Sequence, residues 1–262
     1  MVERYRRGKG KRKLLGSHQK CWIWGRHLVR ETLAAGYWPI VELLIADDLP
    51  DDELRDAQRQ ADEHQTPVRV LPAEKLTQLG HTAEHQGYLA KMPPFPYREP
   101  IDLVACTSAP GAFLMLDRVQ DPHNFGAVIR SAEVLGMNGI FVGPQEQAPV
   151  TSLVARSSAG AVNYLPIAES GDLVDWGRRL QTEFGYELIG THQDATTELW
   201  NCDLTRPIVF IVGNEGTGIR SELIELCDRR VRIPQCGHVP SLNAAVAAGI
   251  VCYETRRQRD RK

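Results

Sequence analysis

Apolar and polar positions alternate along this chain with two different periods. Runs such as VELLIADD (41–48) and TPVRVLP (66–72) are short, β-branched in part, and stop at acids or proline, as strands do. Between them, LPDDELRDAQRQADEHQ (49–65) reads as a helix with acids in its first turn, where the helix dipole favours them, and with its charge on a solvated face. CWIWGRHLVRETLAAG (21–36) gives a short apolar entry and a helix ending at Gly36; AEKLTQLG (73–80) gives a short helix and QGYLAKM (86–92) a third strand. These elements predict a small α/β unit over 21–92, near the lower size of independent domains.

MPPFPYREP interrupts the pattern with prolines at 93, 94, 96 and 100. Proline continues neither a helix nor a central strand, so residues 93–102 are expected to form a stiff linker. Over 103–262 the alternation resumes. AFLMLD, GIFVG, NYLPI, YELIGTH, PIVFIVG and RVRIP read as strands. NFGAVIRSAEVLG, TSLVARSSAG, DLVDWGRRLQTEFG, IRSELIELC and SLNAAVAAGIVCYETRRQR read as helices. Such an order predicts a mostly parallel sheet covered on both faces, with ligands beyond the carboxyl ends of its strands.

Composition narrows the class. Apolar residues make up 42% of the 262, enough for packed cores. No apolar run reaches the roughly 18 residues of a membrane span, and the first twenty residues lack the apolar centre of a secretory signal. They are also Gly- and Lys-rich rather than amphipathic like a transit peptide, so a cytoplasmic location is expected. Cysteines 21, 106, 202, 227, 236 and 252 form no C-x-x-C pair, and His81 and His85 have no further ligand nearby. Reduced thiols and no metal site are expected.

Charge is uneven. Net charge is −2, yet residues 1–20 carry +7 and residues 256–262 carry +4. A basic tail over 1–20 and a basic end on an acidic body suit either a polyanionic partner or simple solubility.

Three strand-end loops carry candidate chemistry. In DRVQDPHNFGAVIR, Asn124 is expected to cap a helix whose apolar stripe is Phe125, Val128, Ile129, Ala132 and Leu135; Arg130 lies off that stripe in the second turn. GNEGTG (213–218) follows PIVFIVG but lacks both the Lys-Ser/Thr of a P-loop and the G-x-G-x-x-G of a dinucleotide site. Its Glu215 repels phosphate, which favours a neutral or cationic ligand. In IPQCGHVPSLNAAVAAGI, Ser241 is expected to cap the last helix, with Asn243 beside it. Singly, each residue reads as a cap or a surface charge.

Jointly, N-x-G-x-x-x-R, G-N-E-G-x-G and S-L-N resemble the three-motif signature of the SpoU/TrmH family of RNA ribose 2′-O-methyltransferases, over about residues 110–258. WGRHLVRETLAAG, VELLIADD and HQGYLAKMPPFPY further resemble the small RNA-binding domain of the RlmB-type branch, which methylates a guanosine ribose in large-subunit (23S-type) ribosomal RNA. The resemblance implies a C-terminal α/β trefoil-knot methyltransferase domain over 103–262, a substrate RNA-binding domain over 21–92, S-adenosylmethionine as cofactor, and a homodimer. It implies that Asn124, Arg130, Glu215, Ser241 and Asn243 form the catalytic set. Gly213, Asn214, Gly216, Ile233 and Leu242 would hold the cofactor; Arg130, Arg156 and Ser241 would meet RNA. His123 is an alternative base to Arg130, since a guanidinium scarcely releases its proton. A transfer-RNA ribose methyltransferase, a non-catalytic ribosome-associated RNA-binding protein and a doubly wound oxidoreductase are the rival readings, the last disfavoured by the missing glycine fingerprint.

If the basic tail adds phosphate contacts, deleting residues 1–20 will weaken RNA binding and flatten its salt dependence without changing base choice. Affinity measured across a salt series tests this; an unchanged slope assigns the tail to solubility alone.

Overall fold

The computed structural model describes residues 21–108, 110–214, 216–238 and 241–260; the basic tail over 1–20 and Glu215 lie outside them. The N-terminal lobe holds β1 (Trp22–Trp24), α1 (Arg26–Ala35), β2 (Glu42–Ala46), α2 (Asp51–Glu63), β3 (Val68–Leu71), α3 (Ala73–Gly80) and β4 (Tyr88–Lys91). Its sheet runs β1-β4-β2-β3, antiparallel except for β2 and β3. The apolar entry CWIW is therefore a strand. As expected, α2 is a solvated helix that buries only Ala57 and Ala61 and carries Asp51, Asp52 and Glu53 in its first turn.

The C-terminal lobe contains α4 (Pro100–Ala105), β5 (Ala112–Asp117), α5 (Pro122–Val134), β6 (Gly139–Val142), α6 (Ser152–Ser157), β7 (Ile167–Glu169) and α7 (Leu173–Thr182). It continues with β8 (Glu187–Thr191), β9 (Thr197–Glu198), β10 (Ile208–Gly213), α8 (Ser221–Leu226), β11 (Arg229–Arg232) and α9 (Ala244–Arg259). Seven strands lie in the order β7-β6-β5-β10-β8-β11-β9, and every neighbouring pair is parallel. β5 is buried along its whole length, and its side chains alternate between two cores. Leu114 and Leu116 join Phe125, Val128 and Val251 on one face; Phe113 and Met115 join Trp176 and Leu180 on the other.

Two expectations are corrected, and one element was not foreseen. Pro100 opens helix α4 rather than ending a linker, because its fixed φ and missing N–H suit the first turn. NYLPI is not a strand: residues Ala161–Asn163 form a 3-10 turn, held by Asn163 Nδ2 donating to Gly160 O at 3.1 Å, and the strand starts only at Ile167. The two-residue strand β9 was too short for any periodic signal.

The proline stretch is pinned to both lobes. Phe95 packs edge-on against Trp38 and Tyr97, with ring centres 5.2 and 5.1 Å apart. Tyr97 Oη accepts from Val150 N–H at 2.8 Å, and Arg98 N–H donates to Ile167 O at 2.9 Å. Nearby, Asn163 Nδ2 donates to Thr32 Oγ1 at 3.0 Å, with both residues buried. One apolar core runs from Ile23 and Leu33 through Phe95 to Val154 and Val162, so the lobes share it.

The parallel register sets the carboxyl ends of β5 and β10 side by side, pairing Asp117 with Gly213. Asp117, with 0% exposure, accepts from Arg220 N–H at 2.8 Å and from its Nε at 2.8 Å, and Arg220 Nη2 lies 2.7 Å away. The loops after two central strands are thereby fixed to one another.

Helix α5 crosses α6 closely enough that a Cβ on Gly126 would lie 2.4 Å from Ser157 Cβ and 2.9 Å from Ser158 N. The glycine of N-x-G-x-x-x-R is thus a packing requirement. Gly126→Ala must push α6 off α5, costing about 1–3 kcal/mol by the usual overpacking penalty; thermal or urea unfolding against the parent chain reads this out, and unchanged stability contradicts it.

Candidate active site

Helix α5 is capped by Asp121, whose side chain accepts from His123 N–H at 2.8 Å, with Pro122 in the first position. The expectation that Asn124 caps this helix is corrected: an Asp-Pro pair just upstream takes the cap, and Arg130 falls in the third turn. Asn124 is freed for another contact. Its Oδ1 accepts from Asn243 Nδ2 at 3.0 Å.

Ser241 is likewise not the cap of α9. Asn243 is, its Oδ1 accepting from Ala245 N–H at 2.9 Å and Val246 N–H at 3.3 Å. Because that oxygen is committed to backbone donors, the amide nitrogen must face Asn124. A single side chain therefore starts the last helix and joins the first loop to the third. Ser241, two residues earlier, is exposed.

The second loop is tied to the first through Asn214. Its Nδ2 donates to Arg118 O at 2.8 Å, while its Oδ1 accepts from Gly216 N–H at 2.8 Å and Thr217 N–H at 3.1 Å. Paired backbone bonds between Asn214 and Gly218 fold the loop back over the strand end. A Cβ on Gly213 would lie 2.2 Å from Ile219 N, so only glycine admits that approach.

Beyond the ends of β8, β10 and β11 lies a cavity of about 420 Å³. Gly213, Asn214, Gly216, Ile233 and Leu242 all line it, as does Ser241. Asn124, Arg130, Arg156 and Asn243 are not among its walls. No Lys, Arg, Asp or Glu among the described residues contributes to it. Such a cavity offers backbone groups, glycines and aliphatic side chains to its ligand. Among the described residues it has no Lys or Arg to hold a phosphate chain, and it suits the uncharged adenosine and the zwitterionic methionine part of S-adenosylmethionine. Sequence reasoning missed Thr191, which ends β8, and His192 and Gln193, which follow it. Their only signal was a polar run at a strand end.

Around this cavity, Arg130 is exposed and has no ion-pair or hydrogen-bond partner among the described residues. His123 Nδ1 lies 3.1 Å from Ser157 Oγ, whose own proton goes to Leu153 O at 2.8 Å. With the single hydroxyl proton directed to Leu153 O, the ring nitrogen is the donor in this contact. Arg156 stands apart, at the boundary between the lobes, where its Nη2 is 2.8 Å from Glu84 Oε2.

Comparison with known proteins accords with this geometry. Residues 111–253 match the SpoU rRNA Methylase family, and residues 22–98 match the RNA 2′-O ribose methyltransferase substrate-binding family. A protein of Staphylococcus saprophyticus named for the TrmH family of tRNA/rRNA methyltransferases is 32% identical over 91% of this chain and 96% of its own length. The SpoU methyltransferase AviRb from Streptomyces viridochromogenes, solved with S-adenosylmethionine, is 26% identical with a TM-score of 0.79, covering 92% of this chain and 91% of that one. The rRNA methyltransferase from Sinorhizobium meliloti, also solved with the cofactor, is 25% identical with a TM-score of 0.76, covering 90% and 87%. Three joined strand-end loops, a cavity with no charged side chain among the described residues and these matches place the chain in the SpoU/TrmH family of S-adenosylmethionine-dependent RNA methyltransferases.

Proposed function

We propose that the chain methylates the ribose 2′-hydroxyl of a guanosine in large-subunit ribosomal RNA. The observation that carries this reading is the Asn243–Asn124 hydrogen bond, which sets the start of α5, the helix bearing Arg130, against the third loop, whose Ser241 and Leu242 line the cavity. Two further points support it. The N-terminal lobe matches a substrate-binding family of ribose 2′-O-methyltransferases, and similarity to the Sinorhizobium meliloti rRNA enzyme extends over both lobes. Guanosine rests on the likeness to the RlmB-type branch.

In this reading the cofactor supplies a methyl group on a sulfonium. Backbone around Gly213, Ile233 and Leu242 holds it, and the glycine-rich turn of Asn214 and Gly216 closes one wall. Arg130 binds the phosphate flanking the target ribose and stabilises the oxygen as it becomes an alkoxide. Asn124, held by Asn243, positions the ribose, and Ser241 meets the target nucleotide. Imidazole changes charge near neutrality and guanidinium does not. His123 Nε2, the ring nitrogen not bonded to Ser157, receives the 2′-hydroxyl proton as the new O–C bond forms and the C–S bond breaks.

The knot and the dimer belong to the same proposal. The connections from β9 to β10 and from β10 to β11 both cross the position of β8, a path compatible with threading at the C-terminal end. On α9, Val246 and Tyr253 are exposed and stand two turns apart on one face, an apolar stripe suited to a second copy of this domain.

Methyl transfer from labelled S-adenosylmethionine to large-subunit ribosomal RNA and, separately, to transfer RNA tests the reading, with mass mapping of nuclease fragments. A ribose-methylated guanosine in ribosomal RNA is expected, and Arg130→Ala should lower kcat by about 10²–10³-fold. Methyl on a base, or on transfer RNA alone, overturns it. For the proton acceptor, His123→Ala should remove most of the rate while cofactor affinity stays unchanged; an unaltered rate excludes His123.

A further inference from the structure

A second cleft, of about 410 Å³, lies between the lobes, apart from the cavity at the strand ends. Trp24, His27, Glu84 and Gln86 line it from the N-terminal lobe, and Arg156 and Ala159 from the C-terminal lobe. The Arg156 guanidinium carbon lies 4.8 Å from the centre of the Trp24 ring, and Arg156 Nη2 is paired with Glu84. We propose that this cleft binds one unstacked nucleotide of the RNA substrate, its base stacked against the Arg156–Trp24 platform and its phosphate taking the place of Glu84. The inference rests on the RNA-methyltransferase reading and adds to it a second grip away from the methyl-transfer site.

Three observations carry it. The first is chemistry. An arginine held over an indole offers cationic and aromatic surface together, and single-stranded RNA is held through stacking on aromatic rings and guanidinium planes because every base has a π-face. The second is that the ion pair is dispensable to the fold. Its side chains are 38% and 71% exposed, and pairs so exposed contribute little to stability. The lobes are joined elsewhere, by the buried Asn163–Thr32 bond and a common apolar core. Glu84 is also the only carboxylate among the described walls of the cleft. A phosphate can therefore exchange with it without parting the lobes, and arginine can grip it through a charge-assisted bidentate contact.

The third is placement. Arg156 belongs to α6, and the next residue, Ser157, meets His123, which directly precedes Asn124. One six-residue helix thus separates the cleft from the loops that hold the target ribose. An RNA strand lying over α6 reaches both, with one nucleotide in the cleft and another at Asn124 and Arg130.

The test uses the full chain and short single-stranded RNAs spanning the methylated nucleotide, with affinity read by fluorescence anisotropy and cofactor affinity by calorimetry. Trp24→Ala and Arg156→Ala should each weaken RNA binding at least about tenfold while cofactor affinity stays unchanged. Arg156→Lys should restore little, because an ammonium cannot stack as a plane. Glu84→Gln, which frees Arg156 without touching the platform, should bind RNA as tightly as the parent or tighter, and it keeps the test open should a truncation variant unfold. Unchanged affinity in both truncation variants, full rescue by Lys, or weaker binding in Glu84→Gln each overturns the stacked site. If the parent chain methylates RNA but the variants do not show the expected effects on binding, the cleft is refuted and the reaction stands. If the parent chain neither binds nor methylates RNA, both fall.

Discussion

A carboxylate with no exposed surface sits where two central strands end, and the active loops depend on how it is compensated. Asp117 closes β5, and Arg220 brings a backbone N–H and two guanidinium nitrogens to it, all within 2.8 Å. Arg118 adds Nη2 at 3.4 Å from the neighbouring position, where φ is +61°. An unpaired buried carboxylate is costly enough to disrupt a domain core, whereas one met by several charged or polar donors is tolerated and directional. Here the direction is what matters. The pair locks the loop after β10 onto the end of β5, so the glycine-rich turn and the loop leading to Asn124 cannot move independently. Asn214 adds a second tie through Arg118 O, and Asn243 a third through Asn124.

This arrangement dissolves an apparent choice. Taken one at a time, the polar residues of the three loops look like caps, turns or surface charges, and several of them are. Asn243 is an ordinary helix cap through its oxygen and the link between two loops through its nitrogen. Asn214 closes a tight turn with one end of its amide and fastens a neighbouring loop with the other. Gly126 allows two helices to touch, and that contact places Ser157 against His123. Structural and chemical roles share the same atoms, which is how a site on loops keeps the sub-ångström order that group transfer needs.

What the sequence revealed and what it hid follow from the range of the interactions. Strands such as AFLMLD and PIVFIVG and helices such as α2, α5 and α9 are written in local periodicity, and they were legible together with the two-lobe organisation. Cap positions were misread at Asn124 and Ser241, since Asp121 and Asn243 stand close enough to compete and only geometry chooses between neighbouring polar residues. The 3-10 turn at Ala161–Asn163 escaped notice because its signal is a side chain bonding Gly160 and Thr32, the latter 131 positions away. Asp117 and Arg220 are 103 positions apart and Arg156 and Glu84 are 72 apart. No window of local pattern contains either pair. The cavity walls after β8 were missed for a similar reason, because strand order, not sequence order, brings β8 beside β10.

The shared core between the lobes has a consequence for how substrate is handled. If the lobes were joined only by a proline tether, the substrate-binding unit would raise the local concentration of RNA without orienting it. Here Phe95 packs against both Trp38 and Tyr97, Tyr97 reaches Val150 N–H, and Asn163 reaches Thr32 across a buried boundary. The proline stretch thus works as a wedge fixed at both ends. In the reading proposed above, RNA gripped by the N-terminal lobe is held at a set distance and angle from the cavity, and binding energy gained far from the reacting oxygen contributes to its alignment. The same reading makes selection stricter: a strand that fits the N-terminal lobe but cannot cross α6 to Asn124 gains nothing at the methyl-transfer site, because the shared apolar core opposes a relative shift of the lobes.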